Sequence, residues 1–223
     1  MTGRFLTKEM AMEVQKDFEK EAVLWDSNPS RVKLASDVSA AIIREVALSP
    51  DMMALDFGCG TGLLTLKLQP LVKNITGVDS SPGMLGMLNK KIEDHKLGNV
   101  HTQLVDFERD VAIQGSYNLI VSSMVVHHVP DTLTLFKGWF NLLLPGGQIA
   151  FADLDTEDGA FHGDNTGVFH LGFDRENLRQ LLHEAGFNQV RDTTATVMSK
   201  EVDGLGLREF PIFLITARKG VVE

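Results

Sequence analysis

Cysteine is almost absent from this 223-residue sequence: the single thiol, Cys59, has no second cysteine for an intramolecular disulfide or a multi-cysteine metal site. A reducing compartment fits that composition. Long apolar runs are also missing. Nothing approaches the roughly 18 residues that a spanning helix requires, and the opening MTGRFLTKEMAMEVQKDFEKEA has no apolar core of signal-peptide length. The expectation is a chain without an integral membrane segment that stays in the cytoplasm. Positive charge is in deficit, with 21 Lys and Arg against 30 Asp and Glu and a formal net charge of −9. Such a surface repels phosphate polymers and anionic headgroups, so no nucleic acid partner is expected. The one dense basic pair, Lys90-Lys91, is followed by Glu93 and Asp94 and reads as a solvated helix face. Internal repeats and low-complexity tracts are absent.

What remains is an ordinary globular composition, 43% hydrophobic and 23% charged, in a length that one domain can use. Residues 1–223 read as a single domain. Phe5, Leu6, Met10, Val14, Phe18, Ala22 and Trp25 recur at helical spacing, predicting an amphipathic helix over 5–25. Asn28-Pro29-Ser30 then punctuates the chain, with Ser30 as the expected N-cap of a second helix running to Ser49-Pro50. These two helices, within 1–48, form an N-terminal appendage and a candidate lid.

From residue 52 short apolar runs alternate with amphipathic segments, the signature of successive βα units and a mainly parallel sheet. Strands are expected at Met52–Asp56, Ile75–Asp79, Val100–Val105, Tyr117–Ser122 and Gln148–Asp153, with helices near 62–69, 82–95 and 131–143. The ligand-binding core is thus 49–153. A polar, glycine-bearing stretch at 154–172 breaks the rhythm and reads as a functional insertion. A helix at 174–186 and an antiparallel pair, 188–198 and 209–218, complete 173–223.

The densest signal is Leu55-Asp56-Phe57-Gly58-Cys59-Gly60-Thr61-Gly62, between a strand and a helix. Glycines turn the chain sharply and admit a ligand to bare backbone, while the next helix N-terminus offers unpaired N–H donors. Asp79 ends the following strand about 20 residues further on, the spacing at which a carboxylate in a βαβ unit reaches ribose hydroxyls. An adenosine-containing ligand across the carboxyl ends of the first two strands is the expectation. The loop does not fit the nicotinamide fingerprint G-x-G-x-x-G, because the sixth position from Gly58 is Leu63.

DFGCGTG resembles motif I of the class I S-adenosylmethionine-dependent methyltransferases, specifically the quinone-biosynthesis-like group acting on small molecules. The resemblance covers about 52–153. Gly77-Val78-Asp79-Ser80-Ser81-Pro82-Gly83-Met84 resembles the ribose-binding segment, and Val105-Asp106-Phe107 the segment that meets the adenine amino group. Tyr117 through Ser122-Ser123 to His127-His128 resembles motif IV, and Leu144-Pro145-Gly146-Gly147 the turn before the fifth strand. Asn118 departs from the family's usual Asp, a change expected to touch strand geometry more than chemistry. The resemblance implies a Rossmann-like, doubly wound α/β fold of seven strands, mainly parallel with a C-terminal antiparallel strand. It implies S-adenosyl-L-methionine as cofactor, S-adenosyl-L-homocysteine as product, and cofactor contacts from Asp56, Phe57, Gly58, Cys59, Gly60, Thr61, Gly62, Asp79, Ser80, Met84, Asp106, Phe107 and Ser122.

A sulfonium is already an activated donor, so the chain mainly has to hold the acceptor in line and exclude water. An acceptor that must lose a proton needs a base nearby, and His127, after the fourth strand, is the candidate catalytic residue. His128, Asp153, Phe161, His162, Phe169 and His170 are the candidate acceptor contacts. A metal is not expected, because the carboxylates of 153–170 lie in a polar, glycine-bearing stretch where they can simply cap turns. Methyl transfer to a small molecule is the expected activity. A non-catalytic S-adenosylmethionine-binding protein, a protein methyltransferase and an NAD(P)-dependent oxidoreductase are the alternatives. Oligomeric state is not legible.

Overall fold

The alternation of apolar runs resolves into one twisted sheet with helices on both faces. The computed structural model describes residues 21–105 and 113–221. Among the described residues the strands are β1 (Met53–Phe57), β2 (Asn74–Asp79), β3 (Val100–Leu104), β4 (Tyr117–Ser123), β5 (Leu143–Leu154), β6 (Asn188–Val202) and β7 (Gly206–Arg218), ordered β3-β2-β1-β4-β5-β7-β6. The first five strands run parallel, and β7 inserts antiparallel between β5 and β6. The helices are α1 (Pro29–Glu45), α2 (Thr65–Leu68), α3 (Pro82–His95), α4 (Thr132–Leu142) and α5 (Arg175–Glu184). This is the Rossmann-like arrangement expected from the βα rhythm and the closing hairpin.

Strand alternation sorts the core into two layers. On β7, Phe210, Ile212 and Leu214 join the layer under α1, α2 and α3, with Val38, Ile42, Leu68 and Leu88. Phe213, Ile215 and Ala217 point to the other layer, under α4 and α5, with Phe136, Trp139, Leu178 and Leu182. Because sequence order reverses between β1 and β4, a crevice opens beyond their carboxyl ends, where open α/β sheets bind ligands.

Local chemistry sets most helix starts. Ser81 caps α3 by accepting from the Met84 N–H, with Pro82 at the first helical position, and Asp131 and Asp174 cap α4 and α5 in the same way. Other expectations need correction. Asn28, not Ser30, caps α1: its side chain accepts from the Ser30 N–H, and the helix ends at Glu45. Residues 22–27 form a 3-10 turn rather than the end of an α-helix, and the rest of the predicted 5–25 helix, up to residue 20, lies outside the described residues. Leu144–Gly147 lies inside β5 as an irregularity, because Tyr117 pairs with Leu143 and the next pairing is Leu119 with Gln148. Lys219 stabilises that region by donating to the Phe140 and Leu143 carbonyls at the end of α4, both at 2.7 Å. The β6–β7 hairpin is longer than expected and reaches past the sheet to the 155–172 segment. Among the described residues no helix is long and apolar enough to cross a membrane.

Candidate functional site

The three loop glycines do different work. All have positive φ, +69° at Gly58, +54° at Gly60 and +84° at Gly62, where a side chain is strained. A Cβ on Gly58 would lie 2.3 Å from Val125 Cγ2, and one on Gly62 would lie 2.4 Å from Leu88 Cδ1. Those two glycines therefore admit packing. A Cβ on Gly60 would meet nothing nearer than Met84 Sδ at 3.9 Å, so Gly60 is the one that faces open space.

Four N–H groups of this loop are already taken. Gly58 and Cys59 both donate to the Val78 carbonyl, Gly62 donates to the Cys59 carbonyl, and Gly60 donates to Asp79 Oδ2 at 2.8 Å. The helix that follows, α2, is only four residues long and starts at Thr65 rather than 62. What the loop presents is bare backbone beside a carboxylate. Asp79 also accepts from the Ser81 N–H at 2.9 Å, which sets its orientation and leaves acceptor capacity on both oxygens.

Burial raises the Asp79 carboxyl above its usual range, against the two backbone donors. Asp56 is more extreme. It is 1% exposed, and burial pushes its carboxyl up to about 7 although Thr65 Oγ1 donates to it at 2.5 Å. Cys59 is buried, and its thiol is raised by burial and by the nearby Asp56 and Asp79, which makes it an inert filler. Phe57 is buried against Trp139 with ring centroids 5.3 Å apart, and Ser122 donates to the Phe57 carbonyl at 2.8 Å. Met84 is buried and Ser80 exposed. Asp106 and Phe107 lie outside the described residues. Asn118 does serve geometry: its Oδ1 accepts from the Met53 N–H at 2.8 Å, tying β4 to the start of β1.

Lys91 is not the solvated charge that its neighbours suggested. Its Nζ donates to the Thr61 carbonyl at 2.7 Å and pairs with Asp26, while Thr61 Oγ1 donates to Asp26 at 2.5 Å. The segment before α1 is thereby fastened to the glycine loop, a contact between residues 35 apart in sequence that no local signal announces.

Across the crevice, Asp153 at the end of β5 and His127 after β4 form a buried pair, 0% and 1% exposed. His127 Nδ1 lies 2.7 Å from Asp153 Oδ1, and the His127 and Leu154 N–H groups also donate to this carboxylate, at 3.2 and 2.8 Å. Burial opposes the charged form of Asp153, but the His127 charge and hydrogen bond with the backbone donors outweigh it and hold the carboxyl below its usual range. His127 Nε2 is buried without a hydrogen-bond partner. The His128 and His162 rings stand 4.2 and 4.8 Å from the His127 ring.

The 155–172 segment is seated on this cluster. The His127 carbonyl accepts from the Phe169 and His170 N–H groups, His128 Nδ1 lies 2.7 Å from the Gly167 carbonyl, and His170 Nε2 lies 2.9 Å from the Val129 carbonyl. Phe161 packs edge-on to His162 and Phe210, whereas Phe169 is 58% exposed. The hairpin holds this segment from the far side: Lys200 donates to the Phe161 carbonyl, and Arg208 donates to both oxygens of Asp158 at 2.8 and 2.9 Å. Sequence reading missed Lys200 and Arg208, because long side chains on an edge hairpin carry no motif. Among the described residues no group of His, Cys, Asp and Glu is arranged to hold a metal ion.

The methyltransferase-domain family matches residues 33–191, well over half of the chain. The chain is 28% identical over 173 residues to an uncharacterized methyltransferase of Schizosaccharomyces pombe, covering 71% of this chain and 61% of that protein. It is 26% identical over 131 residues to the ubiquinone biosynthesis O-methyltransferase of Colwellia psychrerythraea, covering 57% and 53%. The alignments thus span less than two thirds of either relative's length. The crystal structure of an S-adenosylmethionine-dependent methyltransferase from Aquifex aeolicus superposes with a TM-score of 0.66 at 18% identity, covering 92% of this chain and 99% of that one. The chain belongs to the methyltransferase-domain family, and its fold is that of an S-adenosylmethionine-dependent methyltransferase.

Proposed function

We propose that this chain transfers a methyl group from S-adenosyl-L-methionine to a small-molecule acceptor, leaving S-adenosyl-L-homocysteine. The observation that carries the reading is the juxtaposition of Gly60, whose missing Cβ leaves open space, with the Asp79 carboxylate that fixes its N–H at 2.8 Å. A nucleoside with a vicinal diol fits that pair: backbone approaches without a side chain in the way, and a carboxylate with spare acceptor capacity takes the hydroxyl protons. Asp79 and Ser80 are assigned to the ribose, Met84, Asp106 and Phe107 to the adenine, and Asp56 with the 57–62 loop and Ser122 to the methionine side.

S-adenosylmethionine supplies an electrophilic methyl on a sulfonium. The chain's contribution is to orient the acceptor and keep water out. His127 is assigned as the catalytic residue, with His128, Asp153, Phe161, His162, Phe169 and His170 as the acceptor side. The net charge of −9 favours a small molecule over a nucleic acid. The relatedness to a ubiquinone biosynthesis O-methyltransferase supports a small acceptor as well. The Asp26–Thr61–Lys91 contact supports the residues before α1 as a lid edge over the loop.

Isothermal calorimetry with S-adenosylhomocysteine tests the cofactor assignment. Binding is expected, weakened about tenfold or more in Asp79→Ala, since hydrogen bonds to a charged group contribute about 1.5–3 kcal/mol. Absence of heat with the parent chain, or Asp79→Ala binding like the parent, overturns it.

A further inference from the structure

Resting on the methyl-transfer reading and deepening it, we infer that His127 and Asp153 are a proton-accepting pair and that the acceptor is a phenol- or enol-type hydroxyl. Asp153 receives three hydrogen bonds, from His127 Nδ1, the His127 N–H and the Leu154 N–H. An ionised carboxylate only accepts, so the imidazole carries a proton on Nδ1, and in its neutral form the lone pair is on Nε2. That Nε2, on the far side of the ring from Asp153, is buried and has no hydrogen-bond partner. A buried acceptor left unsatisfied is unfavourable, and a ligand O–H is the group that would satisfy it. Asp153 acts through His127 and is a positioning residue.

The surroundings choose the acceptor class. The titratable groups facing His127 are Asp153 from β5, His128 from its own turn and His162 from the 155–172 segment. Two imidazole rings within 5 Å, with Phe161 beyond His162 at 4.9 Å, make walls suited to a planar molecule. A phenolic proton, at about 10 in model compounds, is one that an imidazole base can take up as the O–C bond forms. An aliphatic hydroxyl is nearly as weak an acid as water and is out of reach of an imidazole base. An ammonium acceptor would bring a second cation to a sulfonium donor, and Asp153 already holds three hydrogen-bond donors.

In the transfer, the acceptor oxygen gives its proton to Nε2 and forms the new O–C bond as the donor's S–C bond breaks. The sulfonium charge vanishes while an imidazolium charge appears beside Asp153, so net charge is conserved and one proton later leaves to water. The His162 ring stands 4.8 Å from that of His127, at an interplanar angle of 40°.

The test uses the full chain. Nitrogen-15 NMR of the histidine-labelled protein is expected to show the Nδ1–H tautomer for His127, lost in Asp153→Asn. With catechol as probe, Asp153→Asn lowers methylation by about 100-fold or more, while S-adenosylhomocysteine affinity stays within about threefold by calorimetry. 4-Nitrocatechol, which ionises readily without a base, retains most of its rate. Should Asp153→Asn not fold, His127→Gln takes its place with the same split between the two phenols. An Nε2–H tautomer in the parent, equal losses for both phenols, or methylation of benzylamine but of neither phenol overturns the proposal. No heat with S-adenosylhomocysteine sinks the methyl-transfer reading itself. Normal heat without methylation of any phenol sinks only the acceptor assignment.

Discussion

Single atoms decide what each loop glycine does, and alanine substitution separates their roles. Gly58→Ala drives a methyl into Val125 and strains a positive φ, so unfolding free energy should fall by about 2–4 kcal/mol in urea titration. Gly60→Ala has room and bears only the backbone strain, about 1–2 kcal/mol, yet it should lose more than tenfold in S-adenosylhomocysteine affinity because its methyl projects where the ligand approaches. Equal effects on stability and binding at the two sites would contradict this division. Asp56 makes a separate prediction. Its carboxyl, raised to about 7 by burial from a model-compound value of 3.8, keeps its proton in the folded chain after the unfolded chain has released it. Folding stability therefore falls as pH rises from about 4 to about 7, by up to about 4 kcal/mol for three units. Asp79 is raised too and adds in the same direction. Asp153 is lowered, so its contribution is instead lost in acid, below the usual carboxylate range. Urea titrations of the ligand-free chain between pH 4.5 and 8 should show the decline, and Asp56→Asn should flatten it.

Between elements, the contact with most consequence joins the turn before α1 to the glycine loop and α3. Lys91 reaches back from α3 to the Thr61 carbonyl and to Asp26, and the three groups are partly or fully buried, so their interaction is screened less than a surface pair. Lys91→Met keeps the length of the side chain and removes the charge. The expected result is faster proteolytic cleavage within residues 21–30 and a several-fold loss of S-adenosylhomocysteine affinity, with the melting temperature lowered by only a few degrees. Unchanged cleavage and affinity would show that this segment packs beside the loop without gating it. The ion network of Arg175 and Arg179 with Asp155 and Asp192 ties α5 to β6 and to the start of the 155–172 segment. It holds the start of that segment in place.

For the whole molecule, the decisive feature is that β7, last in sequence, is an inner strand. Phe210, Ile212, Phe213, Leu214, Ile215 and Ala217 are all buried and serve both core layers. Deleting residues 205–223 removes six buried side chains and exposes the edges of β5 and β6, far more than the stability of a typical domain. Such a chain is expected to give no cooperative melting transition by circular dichroism. A folded, cofactor-binding truncate would mean that the first five strands form an independent unit.

Sequence alone determined what is local. Helix α3 spans 82–95 as expected, because Ser81, Pro82 and the Met84 N–H lie within four residues of one another and build the cap without help. The βα rhythm, the glycine loop and Asp79 were legible for the same reason: a strand's period, a turn's need for glycine and a fixed spacing in one βαβ unit are properties of short stretches of chain. Tertiary structure decided the rest. That Gly58 makes room for Val125 while Gly60 stays open, that Lys91 meets Asp26, and that Asp153 pairs with a histidine after β4 all depend on residues 26 to 67 positions apart in sequence. Side-chain pairing over such distances is set by how the sheet stacks its strands, and no short-range periodicity encodes it.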